Sequence, residues 1–280
     1  MNILETKDLC YSYEDNTSAL KNINMKIKKG LVTAILGGNG AGKSTLFLNL
    51  NGVLTPKTGE VYYDGKIVKY DKNGMKELRK KVGIIFQDPN DQLFSENVRN
   101  DIAFGALNMN YSNDEVSEMV KRIANETGVL ELLDRPTHSL SFGQKKRVAI
   151  AGVLIMNPEV IILDEPTAGL DPQGVTEILK LLLKIKEERG TSIVISTHDI
   201  DIVPLYCDYA YIFNKGEKVE EGTPRELFLK PEKLRRNGLR ISRIAHLMEM
   251  LNCKDGIPVD KGAGTVRTAR QTLKEVMKWK

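Results

Sequence analysis

A glycine-rich segment that ends in a lysine and two hydroxyl residues offers the clearest chemistry in this sequence. It follows an apolar run at residues 31–36 and consists of Gly37, Gly38, Asn39, Gly40, Ala41, Gly42, Lys43, Ser44 and Thr45. The spacing Gly-x(4)-Gly-Lys-Ser is typical of a phosphate-binding loop between a strand and a helix. Glycines let successive backbone N–H groups point inward, the lysine neutralises the β- and γ-phosphates, and the serine hydroxyl is suited to Mg²⁺. The segment predicts nucleotide binding; a glycine-rich turn with a stray lysine is the alternative.

Two adjacent carboxylates follow a second apolar run. Residues 160–163 read Val-Ile-Ile-Leu, which predicts a buried parallel strand, and Asp164 and Glu165 come directly after it. Ligands of α/β sheets bind at the carboxyl ends of the strands. Together with the phosphate loop, this placement predicts that the pair supports Mg²⁺ and acts as a base. Without that loop, two carboxylates that begin a surface loop would be a fair interpretation.

A histidine and a tyrosine are further candidates for contacts with a nucleotide. His198 follows the predicted strand at residues 192–196, at the same edge of the sheet, and we expect it to contact phosphate. Tyr11 and Tyr13 lie where the first predicted strand ends, and one of them could stack on a base, although an ordinary strand aromatic is equally compatible with the sequence. His138 and His246 have no supporting context and receive no role.

The elements that must position these residues form an α/β pattern. Short strands are predicted at residues 3–9, 23–27 and 82–86, and Asp64-Gly65 predicts a hairpin within residues 59–68. Another hairpin is predicted at residues 209–219. Helices are predicted after the phosphate loop up to Gly52, from Ser141 as a cap to about residue 156, and at residues 173–189.

From residue 98 to residue 133 the sequence pattern changes from that of strands to that of helices. Their apolar residues follow helical spacing on a polar background, as Val116, Met119, Val120, Ile123 and Thr127 do. The most economical interpretation is a helical subdomain inserted into an α/β core. The last ~50 residues carry a separate helical pattern around Ile241 to Leu251, a loop at residues 256–264, and a final helix from about Thr268. Because two short helices need a surface to pack against, we expect this tail to dock on the core or to mediate dimer contacts.

Composition restricts the class of protein. The 280 residues are 41% hydrophobic and 28% charged, which is typical of a globular chain with one large or two unequal domains. No stretch approaches the ~18 apolar residues of a membrane span, and the first residues do not resemble a secretory signal, so we expect the chain to stay in the cytosol. Cys10, Cys207 and Cys253 lack the spacing of a disulfide framework or a zinc site, which fits a reducing compartment.

Charge is distributed unevenly along the chain. The net charge is +4, but residues 232–280 hold twelve Lys and Arg against five Asp and Glu. Such a basic tail is compatible with an acidic partner or a membrane surface, although a solvated helix face is the commoner cause.

Six motifs in register resemble those of an ATP-binding-cassette (ABC) ATPase. They are Gly37 to Thr45, Gln87, Leu140-Ser141-Phe142-Gly143-Gln144, residues 160–165, Gly169-Leu170-Asp171, and His198. The resemblance covers residues 1 to about 230. It implies an α/β fold with a RecA-like P-loop NTPase core, an antiparallel β-subdomain, an inserted helical subdomain at about 88–157, and a small helical extension at residues 231–280. It also implies ATPase activity and a head-to-tail dimer.

The resemblance also implies residue roles. Lys43 and the neighbouring amides would hold the phosphates of ATP, Ser44 and Gln87 would coordinate Mg²⁺, and Asp164 would support the metal. Glu165 would be the general base, and His198 would contact the γ-phosphate; with Gln87 these are the expected catalytic residues. Tyr13 would stack on adenine. The signature segment, Ser141 to Gln144, would reach ATP held by the opposite subunit, and Asp171 would link the two sites.

A narrower resemblance points to the ATPase subunits of energy-coupling-factor importers, particularly the cobalt-uptake type. It is carried by residues 86–94, with Gln92 as a second glutamine, and by residues 238–246 in the tail. The resemblance implies a second cassette subunit, identical or different, an integral membrane scaffold protein, and a membrane subunit that binds the substrate. It implies a peripheral location at the cytoplasmic face of the cell membrane and uptake of cobalt or a vitamin, with no nucleic-acid partner.

Two positions depart from the family pattern. Gly38 replaces a common proline, which glycine tolerates. Phe142 replaces the first glycine of the usual Leu-Ser-Gly-Gly-Gln, and a side chain fits there only if the backbone is not left-handed. The retained Ser141 and Gly143 argue that this segment remains functional.

Two other functions compete with the transport ATPase. A soluble ABC ATPase that acts on nucleic acid or ribosomes would carry a long coiled-coil insertion or two cassettes, and 280 residues show neither. A small-molecule phosphotransferase would leave residues 140–144 unexplained.

Overall fold

Two β-sheets form the framework of the molecule. The computed structural model describes residues 1–109 and 111–277. The strands in these ranges are β1 Asn2–Ser12, β2 Ser18–Lys28, β3 Val32–Leu36, β4 Thr58–Tyr63, β5 Lys66–Ile67, β6 Val82–Ile85, β7 Val160–Leu163, β8 Ser192–Thr197, β9 Tyr209–Asn214 and β10 Glu217–Gly222.

Helices cover the sheets and form the C-terminal extension. In the described ranges they are α1 Lys43–Leu50, α2 Lys72–Lys81, α3 Val98–Leu107, α4 Asn113–Thr127, α5 Phe142–Leu154, α6 Pro172–Arg189, α7 Val203–Tyr206, α8 Pro224–Phe228, α9 Pro231–Arg236, α10 Arg243–Cys253 and α11 Val266–Met277. Within these ranges no helix combines the length and the apolar character needed to cross a bilayer.

The larger sheet places the functional segments along one edge. Its strand order is β10-β9-β3-β8-β7-β6, and every neighbouring pair from β9 to β6 is parallel. All residues of β3, β7 and β8 are buried, as expected for parallel strands that are covered on both faces. The carboxyl ends of parallel strands share one edge, so the segments after β3, β6, β7 and β8 come together there. This arrangement confirms the predicted α/β fold.

The smaller sheet is antiparallel, with strand order β2-β1-β4-β5. The predicted hairpin joins β4 to β5, and both Asp64 (φ 47°) and Gly65 (φ 74°) have the positive φ that such a turn requires. Side chains from this sheet, from α1 and from one face of the larger sheet form a common hydrophobic core, which includes Ile3, Phe47 and Val160. The small sheet is therefore fixed to the phosphate loop and its helix.

The helical insertion consists of α3 and α4 and continues into α5. Ser112 and Glu115 form a capping box at the start of α4, and Gly128 ends that helix in the left-handed conformation. Apolar residues of these helices join the core on the second face of the larger sheet. The predicted helical subdomain is present, although its limits at about 88 and 157 remain a prediction.

The C-terminal extension docks on the core and has a small apolar centre of its own. Leu234, Ile241 and Ala245 belong to the main hydrophobic core, whereas Met248 and Val259 belong to a separate cluster between α10 and α11. The backbone N–H of Arg243, at the start of α10, also donates to Asp201 Oδ1 at 2.8 Å. The tail is therefore packed against the segment that follows β8. The division into residues 1–230 and 231–280 remains a prediction.

Several elements differ from the sequence-based expectation. Helix α2 was not predicted, because Leu78 is its only buried residue and most of its other positions are polar or basic. The short helices α7, α8 and α9 were also missed, since four to six residues are too few to show periodicity. Strands β1 and β2 each extend to 11 residues, beyond the predicted ranges of 3–9 and 23–27. The last helix begins at Val266 rather than near Thr268.

Candidate functional site

The phosphate loop connects β3 to α1 and needs glycine at particular positions. A Cβ on Gly37 would lie 2.5 Å from the carbonyl oxygen of Phe213, and one on Gly42 would lie 2.5 Å from that of Ala19. Gly40 and Gly42 also have positive φ, at 73° and 98°. Gly38 has open space around its Cα, so its difference from the family pattern causes no steric conflict. The loop therefore needs glycines at these positions, and its backbone there, next to the start of α1, is not covered by side chains of its own.

Helix α1 begins in this loop without a capping side chain. Gly42 precedes it and cannot supply one, so the first N–H groups of the helix are available to an anion. The ammonium of Lys43 donates to the carbonyl oxygens of Gly37 (2.8 Å) and Gly38 (3.1 Å) and is nearly buried. These contacts hold a positive charge above the loop, where the β- and γ-phosphates of a nucleotide would lie.

A hydroxyl from the loop meets a carboxylate from β7. Ser44 Oγ donates to Asp164 Oδ2 at 2.5 Å, and the other oxygen of Asp164 accepts from Ser196 Oγ at 2.5 Å. Gln87, two residues after the end of β6, lines the same cleft. In the described chain no cluster of three or more His, Cys, Asp and Glu could hold a metal by itself. Hydroxyl, amide and carboxylate oxygens nevertheless suit Mg²⁺, which takes one or two protein carboxylates together with substrate phosphates.

Glu165 is buried and has a strained backbone. It is 6% exposed and has φ 46°, in the left-handed region that costs a side-chain-bearing residue about 1–2 kcal/mol. Its N–H donates to Ser196 Oγ at 2.8 Å, and its carboxylate Oε2 lies 2.8 Å from Nδ1 of His198. The imidazole donates to the carboxylate when Nδ1 carries the proton. Contacts therefore hold both the backbone and the side chain of Glu165, which lines the cleft.

Tyr13 lies beside the same loop. Its hydroxyl is 2.8 Å from Thr45 Oγ1, and the residue is 42% exposed. Tyr11 packs against it edge to face, with ring centroids 5.2 Å apart. The tyrosine ring is therefore held at one end while a face stays accessible, as a stacking residue for a base requires.

These side chains line one cleft of about 470 Å³, within the usual range for small-molecule sites. The structure brings together the predicted residues from five segments: Tyr13, Asn39 to Thr45, Gln87, Asp164, Glu165 and His198. Their individual roles remain predictions.

The signature segment opens α5 and lies outside this set of lining residues. Ser141 and Gln144 form a capping box, in which Gln144 N–H donates to Ser141 Oγ at 3.3 Å and Ser141 N–H donates to Gln144 Oε1 at 2.9 Å. Phe142 is the first residue of the helix and is not among the residues with positive φ. A phenylalanine therefore fits this position without strain. Its ring packs against Gly169, where a Cβ would come within 2.8 Å of it.

Asp171 has a local structural role. Its Oδ1 accepts from the backbone N–H of Gly174 at 2.7 Å and caps α6. The predicted role in dimer communication concerns a surface between two subunits and remains a prediction.

Two functional neighbours were missed by the sequence analysis. Ser196 joins Asp164 to the backbone of Glu165, and its signal is a polar residue at the end of the apolar strand β8. Lys146 is 3% exposed, and its ammonium donates to the carbonyl oxygens of Glu165 and Pro166, each at 3.0 Å. Burial lowers the pKa of Lys146 to about 8, although the negative charges of Glu165, Asp88 and Asp164 oppose this shift. The sequence feature that could have indicated Lys146 is a lysine on the apolar face of α5.

A phosphate loop on a parallel sheet, paired carboxylates after the adjoining strand and a capped signature helix define the ABC class of ATPases. Comparison with known proteins agrees: the family model described as "ABC transporter" matches residues 20–168. The chain therefore belongs to the ABC transporter family and binds ATP, and more narrowly it belongs among the energy-coupling factor transporter ATP-binding proteins, ATPases coupled to transport.

Individual relatives support the narrower group. An energy-coupling factor transporter ATP-binding protein of Clostridium perfringens is 54% identical over 271 residues, which are 97% of this chain and 95% of the relative. The corresponding protein of Methanocaldococcus jannaschii is 50% identical over 280 residues and the full length of both chains.

Solved structures agree with the fold. CbiO1 of Clostridium perfringens, described as part of the ABC transporter complex CbiONQ, superposes with a TM-score of 0.77 at 55% identity, covering 89% of this chain and 99% of that one. A dimeric ATP-binding cassette bound to ADP and Pi superposes with a TM-score of 0.72 at 29% identity, covering 79% of this chain and 98% of that one. These likenesses confirm the predicted fold class.

Proposed function

We propose that this chain hydrolyses ATP at the cytoplasmic face of the cell membrane as the motor subunit of an importer for cobalt or a vitamin. The observation that carries the proposal is the convergence of Lys43, Ser44, Asp164, Glu165 and His198 in one cleft while Ser141 lies elsewhere. A cleft that lacks its signature segment is half of a composite site. Hydrolysis then requires a second ATPase subunit, identical or different, facing this one head to tail.

Nucleotide binding follows from the loop and α1. Backbone N–H groups and the free N-terminus of the helix receive the phosphates, and Lys43 exchanges its bonds to loop carbonyls for bonds to phosphate oxygens. Tyr13 stacks on the adenine. Mg²⁺, when bound with ATP, would neutralise charge on the phosphates and be held by Ser44 and Gln87, with Asp164 supporting it.

Hydrolysis follows from Glu165. Its carboxylate accepts a proton from the attacking water, and the strained backbone and the bond to His198 fix its direction. His198, whose Nδ1 lies 2.8 Å from that carboxylate, would contact the γ-phosphate. The signature helix of the opposite subunit places Ser141 and Gly143 against the same phosphate.

A groove between the helical insertion and the core is proposed to receive the membrane scaffold protein. It has a volume of about 780 Å³ and lies between α2, α3 and α5. Phe94 (64% exposed) and Phe104 (49% exposed) pack edge to face at its rim, with centroids 4.7 Å apart. Exposed aromatic residues around a groove favour an apolar segment of another protein. Movement of this groove when ATP closes the dimer would transmit work to the membrane.

Cobalt is the favoured substrate because the solved relative with 55% identity is described as part of a CbiONQ complex, whereas vitamins remain the alternative. The test is purification of the tagged chain from membranes of cells that express its native partners, followed by identification of the bound subunits. Cells that lack the chain are then assayed for uptake of radiolabelled cobalt and of vitamins. We expect membrane subunits to co-purify and cobalt uptake to be lost. Recovery without any integral membrane protein would contradict the proposal.

A further inference from the structure

Lys146 connects the signature helix to the backbone of Glu165. The residue lies one turn after Phe142 on α5, so both side chains share a face of that helix. Its ammonium donates to the carbonyl oxygens of Glu165 and Pro166, both at 3.0 Å, and lies 5.3 Å from the centroid of the Phe142 ring. At 3% exposure it is a buried cation whose partners are peptide oxygens and an aromatic face.

The backbone that Lys146 contacts is held in an unfavourable conformation. Glu165 has φ 46°, and a residue with a side chain stays in that region only where its surroundings fix it. The carbonyl oxygen of Glu165 also accepts from the N–H of Ala168 at 3.0 Å, and its N–H donates to Ser196. Because the direction of the Glu165 side chain follows its backbone, any group that holds this peptide also aims the carboxylate.

The first turn of α5 packs against the segment that follows Glu165. The ring of Phe142 lies against Gly169, which has φ 76°, and a Cβ on Gly143 would be 3.5 Å from Leu170. The start of the signature helix and residues 165–170 are therefore in contact through Phe142, Gly143 and Lys146. These contacts provide a direct physical connection between the two segments.

We propose that Lys146 is a positioning residue that ties the carboxylate of one nucleotide cleft to the helix whose first turn faces the nucleotide of the opposite subunit. The inference rests on the proposed function, in which Glu165 is the base and the signature segment acts in trans. ATP bound by the opposite subunit contacts α5 at its start, and Lys146 carries the resulting displacement to the backbone of Glu165. Each subunit thereby senses its partner's nucleotide at its own base.

The test compares Lys146→Met with Lys145→Met. Methionine approximates the length of lysine but donates no hydrogen bond, and Lys145, on the same turn, donates to Asn90 Oδ1 at 2.7 Å instead. We expect Lys146→Met to lower kcat roughly 10- to 100-fold, below the scale of removing a base, and to leave KM for ATP within about twofold. Lys145→Met should keep kcat within about twofold. Equal losses of kcat in both variants would overturn the proposal. The effect would then come from the loss of a positive charge on α5 and not from the loss of the hydrogen bonds to Glu165 and Pro166.

Two further variants separate positioning from a merely structural role. Lys146→Gln restores a neutral donor, and we expect it to recover most of the lost kcat. In a Glu165→Gln background, Lys146→Met should cause no further loss, since a residue that acts through Glu165 has nothing left to position. A further loss of similar size in that background would overturn the proposal.

A measurement that does not depend on ATP hydrolysis separates the role of Lys146 from the proposed ATPase function. Hydrogen exchange at the amide of Ala168 reports whether the turn at Glu165 is held, and we expect faster exchange in Lys146→Met than in wild type or Lys145→Met. Unchanged exchange would overturn the positioning role even if the kcat of Lys146→Met is lowered. Absence of ATPase activity in the wild-type dimer with faster exchange in Lys146→Met would instead contradict the proposed function, while it would still show that Lys146 holds the backbone of Glu165.

Discussion

Nδ1 of His198 lies 2.8 Å from Oε2 of Glu165, although 33 residues separate the two in the chain. The histidine side chain is largely exposed, whereas the glutamate side chain is 9% exposed. The pair therefore joins an accessible ring at the end of β8 to a buried carboxylate at the end of β7. The carboxylate that we propose as the general base is therefore held by a partner on the solvent side of the cleft.

Replacement of that carboxylate should stop turnover without preventing nucleotide binding. We expect Glu165→Gln to lower kcat by about 10²–10⁴-fold, because an amide cannot accept the proton of the attacking water. ATP affinity should be retained, and size-exclusion chromatography with ATP should show a trapped dimer. Glu118→Gln, at an exposed ion pair on α4, is the control and should hydrolyse ATP normally. Normal hydrolysis by Glu165→Gln would refute the assignment of the base.

Loss of the imidazole should affect turnover more than binding. We expect His198→Ala to reduce kcat by roughly 10²-fold, on the scale of one lost electrostatic contact in a transition state, since Glu165 loses its partner and the γ-phosphate loses a donor. Steady-state ATPase assays at saturating ATP measure this effect. His246→Ala, at an exposed position on α10, serves as the control. A purely raised KM with unchanged kcat would be inconsistent with the placement of His198.

The ring of Tyr13 should contribute to nucleotide affinity. Stacking of a base on an aromatic side chain is worth about 1–3 kcal/mol, so Tyr13→Ala should raise the Kd for ATP roughly 5- to 100-fold. Tyr13→Phe keeps the ring and loses only the hydrogen bond to Thr45, and its Kd should stay within about tenfold of wild type. Titration with a fluorescent ATP analogue measures both. Equal weakening by the two variants would show that the hydroxyl, rather than stacking, is responsible.

Phe142 should be tolerant of the family's usual glycine. Because Phe142 has a helical backbone, its replacement relieves no strain, and we expect Phe142→Gly to leave ATPase activity within about tenfold. The lost contact with Gly169 accounts for the reduction that remains. ATPase assays across a range of protein concentrations separate an effect on pairing from one on chemistry. A loss near 10²-fold would contradict this expectation.

The C-terminal extension should show a pH-dependent ion pair. Arg235 holds the pKa of Glu249 below its usual range, through hydrogen bonds from its guanidinium that connect α9 to α10. The folded-state pKa is depressed, so this stabilisation is present above the unfolded pKa and is lost as pH falls through the folded value. We expect Glu249→Gln to cost about 0.5–1 kcal/mol at pH 7, with allowance for solvent screening of the partly exposed arginine.

Chemical denaturation at several pH values checks this prediction. The difference between wild type and Glu249→Gln should shrink as pH falls through the lowered pKa of the Glu249 carboxylate. The exposed Glu118→Gln variant should show little difference at any pH. A difference that is constant with pH would attribute the effect to packing rather than to the ion pair.

Residue types and spacing were sufficient to predict the phosphate loop, the buried strands and the polar residues that follow them. Gly37 to Thr45 and Asp164-Glu165 are local patterns, and strand and helix geometry then dictates that their side chains meet at one edge of a parallel sheet. The resemblance to the family motifs then indicated roles for residues such as Gln87, Ser141 and Asp171. Helix α2 could not be predicted in this way, because Leu78 is its only buried residue and a single leucine gives no apolar periodicity.

Tertiary structure decided the contacts between distant residues. Ser196 bridges Asp164 and Glu165, Tyr13 meets Thr45, and Lys146 reaches the backbone of Glu165, each across at least 19 residues of chain. Periodicity and spacing report which face of an element is buried but not which partner covers it, because that depends on how elements pack. The left-handed backbone of Glu165 belongs to the same category: only the packed surroundings hold it, so only the folded chain reveals it.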